Sequence, residues 1–179
     1  MHPIYQILSR ASKRNSVTPG EFIVVNVDLA EVNDLYLQVL LSFKEMGGDR
    51  IWNPKKITFV MDHYAPAPTI RAAENQRKMR EFASEQRINN FFDINRGVCH
   101  QVMPEAGLVW PGMVLVATDS HTTTHGAFGA FSTGMGATDM AAVLLTGKIW
   151  FRVPEIIKIN IQGKIGKGIM AKDIILHII

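Results

Sequence analysis

The predicted fold is decided by the stretch Ile57-Thr58-Phe59-Val60-Met61-Asp62-His63, in which an apolar run ends abruptly in a charged pair. A run of this length, rich in β-branched and aromatic residues, predicts a buried strand. A second apolar run, Met113–Ala117, is followed by Asp119-Ser120-His121. Ligands of open α/β sheets bind at the carboxyl ends of the strands, so both acid–histidine groups are expected at one edge of a sheet.

The pattern on either side of these runs predicts a chain in which helices and strands alternate. Helices are predicted over residues 4–13, 33–46, 69–86, 138–147 and 171–179, and further strands over 22–27, 90–94 and 156–161. Thr69 caps the third helix, Thr138 or Asp139 the fourth, and Cys99 and His100 are placed in a loop. The inner face of the third helix is expected to contain Ile70, Ala73, Met79, Phe82 and Ala83. The alternation predicts one α/β domain over residues 1–179, with a mainly parallel sheet flanked by helices.

The composition excludes several classes of function. Hydrophobic residues make up 47% of the 179 residues, which is enough to bury a core. The 19 basic and 16 acidic residues give a net charge of +3 without a basic stripe, so nucleic-acid binding is not indicated. No apolar stretch approaches the roughly 18 residues that cross a membrane. The single cysteine, Cys99, excludes an internal disulfide, and we expect a cytoplasmic protein.

Three histidines, His63, His100 and His121, occupy polar segments that follow predicted strands. A carboxylate bonded to an imidazole fixes its tautomer and raises its basicity, which suits a general acid near neutral pH. Adjacent residues on an extended strand point to opposite faces, so Asp62 need not pair with His63, and acids and histidines could be exchanged between segments.

Three segments resemble, in order and spacing, the signature motifs of the aconitase family. The first is Met61-Asp62-His63, and the second is GVCHQVMPE at residues 97–105. The third is ATDSHTTTHGAFGAF at residues 117–131, continued by GMGATDMA at residues 134–141. The similarity extends from about Val17 to the last residue, and within the family it is to the large subunits of 3-isopropylmalate dehydratase and homoaconitase. The resemblance supports the expected α/β fold and implies a hydro-lyase of amino-acid biosynthesis.

The resemblance also implies roles for individual residues. His63, with Asp62 beside it, would protonate the leaving hydroxyl of a hydroxy-di- or tricarboxylate. His100 and Asp119 would form a supporting pair, and His121 would lie near the open iron of a 4Fe–4S cluster. Ser120, Gln38 and Thr124 are the expected substrate-binding residues. The base would be a serine on a separate small, swivelling subunit.

The chain departs from the family pattern at two points. Tyr36 stands where a threonine is usual, which puts the first loop of the site in doubt. The functional residue of the second motif is His100, so Cys99 is not expected to hold the cluster. A cubane needs at least three protein ligands, and we therefore expect this segment to hold no metal and the cluster cysteines to lie elsewhere in a longer subunit.

Two alternatives from other classes stay open from the sequence. His63, His100, His121 and Asp119 are also ligand types of a zinc- or iron-dependent hydrolase. The second alternative is a non-catalytic assembly fragment. The final predicted helix is apolar and has no C-cap signal, so we expect a truncated chain that self-associates through Ile174, Ile175, Ile178 and Ile179.

The cysteine count gives a direct test. After reconstitution with iron and sulfide, the isolated chain should show no stable absorbance band near about 400 nm and no hydro-lyase turnover, because one thiolate cannot hold a cluster. Ultraviolet–visible spectroscopy and iron analysis measure this. A stoichiometric cluster would overturn the assignment of Cys99.

Overall fold

The computed structural model describes residues 2–34 and 37–179. In chain order, its strands and helices are α1 Pro3–Ser12, β1 Phe22–Asn26, β2 Leu29–Asn33, α2 Leu37–Glu45, β3 Ile57–Val60, α3 Ile70–Gln86, β4 Asn90–Phe92, α4 Cys99–Glu105, β5 Val114–Ala117, β6 Phe131–Gly134, α5 Ala137–Thr146, β7 Lys148–Arg152 and α6 Ala171–Ile178. Two 3₁₀ helices, Pro54–Lys56 and Ser120–Phe128, connect them. Among these elements no helix is long and apolar enough to cross a membrane.

A five-stranded parallel sheet organises the chain, in the order β4-β3-β2-β5-β6. The strand β2 is central, with Glu31 opposite Thr58 of β3 on one side and Ala117 of β5 on the other. A separate antiparallel ribbon joins β1 to β7. The predicted α/β class with a mainly parallel sheet flanked by helices is confirmed.

The two faces of the sheet are buried by different elements. One face, which includes Val32, Phe59 and Val116, packs against apolar residues from helices α1, α2, α3 and α5. The opposite face carries a smaller cluster that joins Leu29, Val60 and Leu115 to residues of α4. Because α4 covers this second face, it brings its first turn close to the carboxyl ends of β3 and β5.

The strand β2 was missed by the sequence prediction, which began a helix at Asn33. All five residues of β2 are buried, and Glu31 and Asn33 are polar, so the run lacks the apolar pattern of a central strand. Helix α2 begins only at Leu37 and ends near Gly47, whose backbone φ of 80° lies in the left-handed region.

The predictions for the long helix were partly right. Thr69 caps α3 by accepting a hydrogen bond from the backbone N–H of Ala72 at 3.1 Å, as expected. Ile70 and Ala73, however, are exposed, and the buried face carries Ala72 and Gln76 instead. Gln76 is buried because its side chain is hydrogen-bonded beneath the turn that follows β3.

Three further sequence predictions were wrong. Cys99 and His100 open a short helix, α4, rather than lying in a loop. Helix α5 has Gly136 at its N-cap, so neither Thr138 nor Asp139 caps it. The last strand is Lys148–Arg152, which pairs with β1, whereas residues 156–161 of the described chain belong to no helix or strand.

Candidate active site

The carboxyl ends of the three central strands deliver the polar side chains of the site. Asp34 follows β2, Asp62 and His63 follow β3, and Asp119 follows β5 and caps the 3₁₀ helix Ser120–Phe128. Helix α4 adds His100 from the second face of the sheet. Parallel strands end at one edge, which is why residues far apart in sequence meet there.

Asp34 fixes the backbone on which His63 is carried. Its Oδ1 accepts a hydrogen bond from the His63 backbone N–H at 3.0 Å, and its Oδ2 accepts one from the Tyr64 N–H at 2.9 Å. The buried amide of Gln76 donates to Asp34 Oδ2 at 2.8 Å and to the Tyr64 carbonyl at 2.7 Å. The turn after β3 is therefore held by a carboxylate from the neighbouring strand.

The imidazole of His63 lies between two carboxylates. Its Nδ1 is 2.7 Å from Asp62 Oδ1, and its Nε2 is 3.3 Å from Asp119 Oδ2. Both expected partners, the adjacent acid and an acid from another segment, thus contact the same ring. The imidazolium form satisfies this arrangement because it has two N–H donors. Asp62 is held in turn by the backbone N–H of Cys99, which donates to its Oδ2 at 2.7 Å.

Asp119 is shared by two imidazoles. His100 Nε2 lies 2.9 Å from Asp119 Oδ1, so the predicted pair is present in the geometry. The same oxygen accepts the backbone N–H of His121 at 2.7 Å. Burial alone would raise the pKa of Asp119, but these hydrogen bonds and the nearby imidazole charges hold it below its usual value. The carboxylate therefore stays ionised.

The remaining predicted residues are placed less centrally. His121 is 82% exposed at its side chain, with Nδ1 3.4 Å from both Asp119 Oδ1 and the Ser120 hydroxyl. Thr124 is exposed on the 3₁₀ helix and Gln38 is exposed on α2, and no hydrogen bond within the described chain joins either to the site. Tyr36 lies outside the described residues.

Several residues of the site were missed by the sequence analysis. Asp34 and Gln76 hold the backbone after β3, Glu31 lies buried in β2, and His125 packs against His100 with ring centroids 5.5 Å apart. Asp34 follows β2 as Asp62 follows β3, so recognition of β2 as a strand would have revealed it. Nothing in the local sequence marks His125 as buried.

The site has side chains that could bind a single metal ion, but it lacks the thiolates that would hold an iron–sulfur cluster. Two groups, His100–Asp119–His121 and Asp34–Asp62–His63, each have one donor atom per residue within 4.8 Å of the others. A 4Fe–4S cluster needs thiolates, and Cys99 supplies the only thiol of the chain. That thiol is buried and hydrogen-bonded to Asp62, and burial together with nearby carboxyl groups raises its pKa. These residues do not fit a cluster as ligands.

The carboxylate–imidazole pairs lie at the carboxyl edge of a parallel sheet, which is the edge where ligands bind in open α/β domains. A sequence model of the aconitase family (aconitate hydratase) matches residues 6–179, and the chain belongs to this family. It is 51% identical to a probable 3-isopropylmalate dehydratase large subunit of Methanothermobacter thermautotrophicus, over 97% of the chain and 42% of that relative. It is 52% identical to a probable methanogen homoaconitase large subunit of the same organism, over 100% of the chain and 43% of that relative.

A third relative, 3-isopropylmalate dehydratase large subunit 1 of Methanopyrus kandleri, is 51% identical over 97% of the chain. The chain spans 41% of that relative's length, and about two fifths of each of the three. The family resemblance read from the three motifs is confirmed.

The environment of His125 predicts a pH-dependent stability. Burial, with a smaller contribution from the charge of His100, lowers the pKa of His125 from 6.5 to about 4. Between those values only the unfolded chain takes up this proton, so the free energy of unfolding should fall as the pH is lowered from 6.5 towards 4. At about 1.4 kcal/mol per pKa unit, the effect is on the order of 3 kcal/mol.

Urea unfolding of the wild type and His125→Phe between pH 7 and pH 4 measures this contribution. The difference in the free energy of unfolding between wild type and His125→Phe should shrink as the pH is lowered. The control His177→Gln removes an exposed imidazole and should show the same dependence of the free energy of unfolding on pH as wild type. Parallel curves for wild type and His125→Phe would show that His125 titrates normally.

Proposed function

We propose that this chain is part of the large subunit of a hydro-lyase that isomerises a hydroxy-carboxylate by removing water and adding it back. The observation that carries the proposal is the His63 imidazole held between Asp62 and Asp119 at 2.7 and 3.3 Å. Expulsion of a hydroxyl group requires a proton, and an imidazolium fixed by two carboxylates is a general acid suited to supply one. The names of the 3-isopropylmalate dehydratase relatives support this reaction.

The other residues assist that proton transfer in the proposal. Asp62 orients the His63 ring through Nδ1, and Asp34 fixes the backbone beneath it. Asp119 joins His63 to His100, so the two rings and the carboxylate form a continuous network. Ser120 and His121 are exposed at its rim and are available to substrate. Thr124 and Gln38 would need a substrate that reaches beyond this network.

The remaining components are proposed to come from outside these 179 residues. A 4Fe–4S cluster, as the family implies, would be held by cysteines elsewhere in the longer large subunit, where it would act as a Lewis acid towards the substrate hydroxyl. A small swivelling subunit would supply the serine base. The substrate would be a hydroxy-di- or tricarboxylate, most specifically 3-isopropylmalate, with homoaconitase activity as the alternative that one relative's name supports. We place the whole protein in the cytoplasm and propose that residues 1–179 form a single domain.

Family membership favours this reaction over a metal-dependent hydrolase. His100 Nε2 and Asp119 Oδ1 are hydrogen-bonded to each other at 2.9 Å, so each of these two atoms has a protein partner without an ion. Stoichiometric zinc bound by the three histidines, seen by X-ray fluorescence, would favour the hydrolase instead.

The proposed acid can be tested in the full-length large subunit assembled with its small subunit and cluster. His63→Gln keeps a hydrogen-bonding side chain but removes the transferable proton, and kcat should fall by roughly 10²–10⁴-fold with KM little changed. 3-Isopropylmalate and homocitrate are the two substrates to compare. The matched control His2→Gln replaces an exposed histidine at the start of α1 and should retain wild-type turnover. A kcat for His63→Gln within a few-fold of wild type would remove His63 from this role.

We also propose that the isolated chain self-associates through its C-terminal segment, as an assembly unit would. Ile175 and Leu176 of α6 are 50% and 62% exposed, and Ile157 upstream is 88% exposed. Large exposed apolar patches on soluble proteins commonly mark interaction surfaces. Light scattering should show a mass above the monomer that rises with concentration, and Ile175→Lys with Leu176→Lys should shift it to monomer. A monomeric wild type at high concentration would contradict the proposal.

A further inference from the structure

Glu31 is hydrogen-bonded through its side chain to none of the described groups to which the proposed reaction assigns a role, yet it lies on the central strand of the sheet. It lies on the central strand β2, opposite Thr58 of β3 and Ala117 of β5, and its exposure is 0%. Residues alternate between the faces of a strand, so Glu31 shares its face with Leu29, which packs in the cluster that includes Cys99. The carboxyl group therefore lies in the layer between the sheet and α4, beneath the acid–imidazole network.

Neither oxygen of the Glu31 carboxyl has a hydrogen-bond partner among the described residues. The three other acids near the site differ sharply from it. Asp34 accepts hydrogen bonds from two backbone N–H groups and from the Gln76 amide. Asp62 accepts one from the Cys99 backbone N–H and contacts the His63 ring. Asp119 accepts one from the His121 backbone N–H and contacts the rings of His63 and His100. Donors stabilise the ionised form of a carboxyl group, so the three aspartates have what ionisation requires and Glu31 does not.

Burial raises the pKa of Glu31 well above its usual value, and the negative charges of Asp62, Asp119 and Asp34 act in the same direction. Among the acids of this described cluster, Glu31 is the one whose carboxyl oxygens accept no hydrogen bond, so its environment favours the neutral, protonated form. An ionised Glu31 would place a fourth negative charge under the network, and that charge would bind the protons of the imidazoles more tightly.

We infer that Glu31 is a positioning residue of the site, a neutral carboxylic acid whose protonated state keeps the His63 proton available for transfer. This inference rests on the proposed function for its catalytic meaning, but the charge state of Glu31 can be measured without turnover. Charges act between Glu31 and Asp34 at the end of β2, Asp62 after β3 and Asp119 after β5, and Glu31 also acts on Cys99 of α4. His63 and His100 are reached through the aspartates that they contact.

The first measurement is the pH dependence of unfolding of the full chain, at protein concentrations that keep it monomeric, for wild type and Glu31→Gln. The unfolded chain loses the Glu31 proton near pH 4.5, whereas the folded chain keeps it. Wild type should therefore lose stability relative to Glu31→Gln as the pH rises above 4.5, with the ratio of unfolding constants growing by up to about tenfold per pH unit. The control Glu74→Gln, at an exposed position on α3, should show no such growth.

The second measurement separates a positioning role from a purely structural one. In ¹⁵N-histidine spectra of wild type, the His63 ring resonances should shift at the pH at which the stability slope ends, because Glu31 ionises there. This step should be absent from Glu31→Gln, whose spectrum at neutral pH should match wild type. If Glu31→Gln does not fold, infrared spectra of ¹³C-glutamate-labelled wild type report the carbonyl band of a protonated buried acid directly.

Parallel stability curves, identical His63 titrations in the two proteins, or no protonated glutamate band would each overturn the inference. None of these results would bear on the hydro-lyase reaction, which is tested at His63. Conversely, inactivity of His63→Gln says nothing about the proton on Glu31, so the two failures are distinguishable.

Discussion

The arrangement of the site depends on the carboxylate of Asp119, which joins groups from three parts of the chain. It follows β5, caps the 3₁₀ helix that begins at Ser120, and contacts imidazoles carried by the β3 turn and by α4. A single carboxylate can do this because it has four acceptor positions and stays ionised when donors surround it. Without the contact between Asp119 and His63, the site would consist of two separate pairs, Asp62 with His63 and Asp119 with His100.

The bridge formed by Asp119 lies next to hydrogen bonds that join the carboxyl ends of the central strands. Thr118 Oγ1 accepts the backbone N–H of Asn33 at 3.0 Å, which joins the carboxyl ends of β2 and β5. Asp34 then reaches across to the turn after β3. These buried polar groups cost stability that an apolar layer would have supplied, and the large apolar cluster on the opposite face of the sheet compensates for it.

The sequence was sufficient where local signals were strong. Apolar runs identified β3 and β5, Thr69 marked the start of α3, and the motifs placed His63, His100 and Asp119 in one predicted site. It was insufficient where burial is decided by distant contacts: β2 carries Glu31 and Asn33, and β7 is a strand because it pairs with β1. The burial of His125 follows from packing against α4, which no local pattern encodes.

The simultaneous contact of Asp119 with the His63 and His100 imidazoles is tested most directly by ¹⁵N-histidine NMR of the chain and of Asp119→Asn. The Nε2 resonances of His63 and His100 should both change in the variant, since each lies within 3.3 Å of an Asp119 oxygen. His2, the N-cap residue of α1, should be unaffected. A variant in which His100 responds and His63 does not would contradict the bridge.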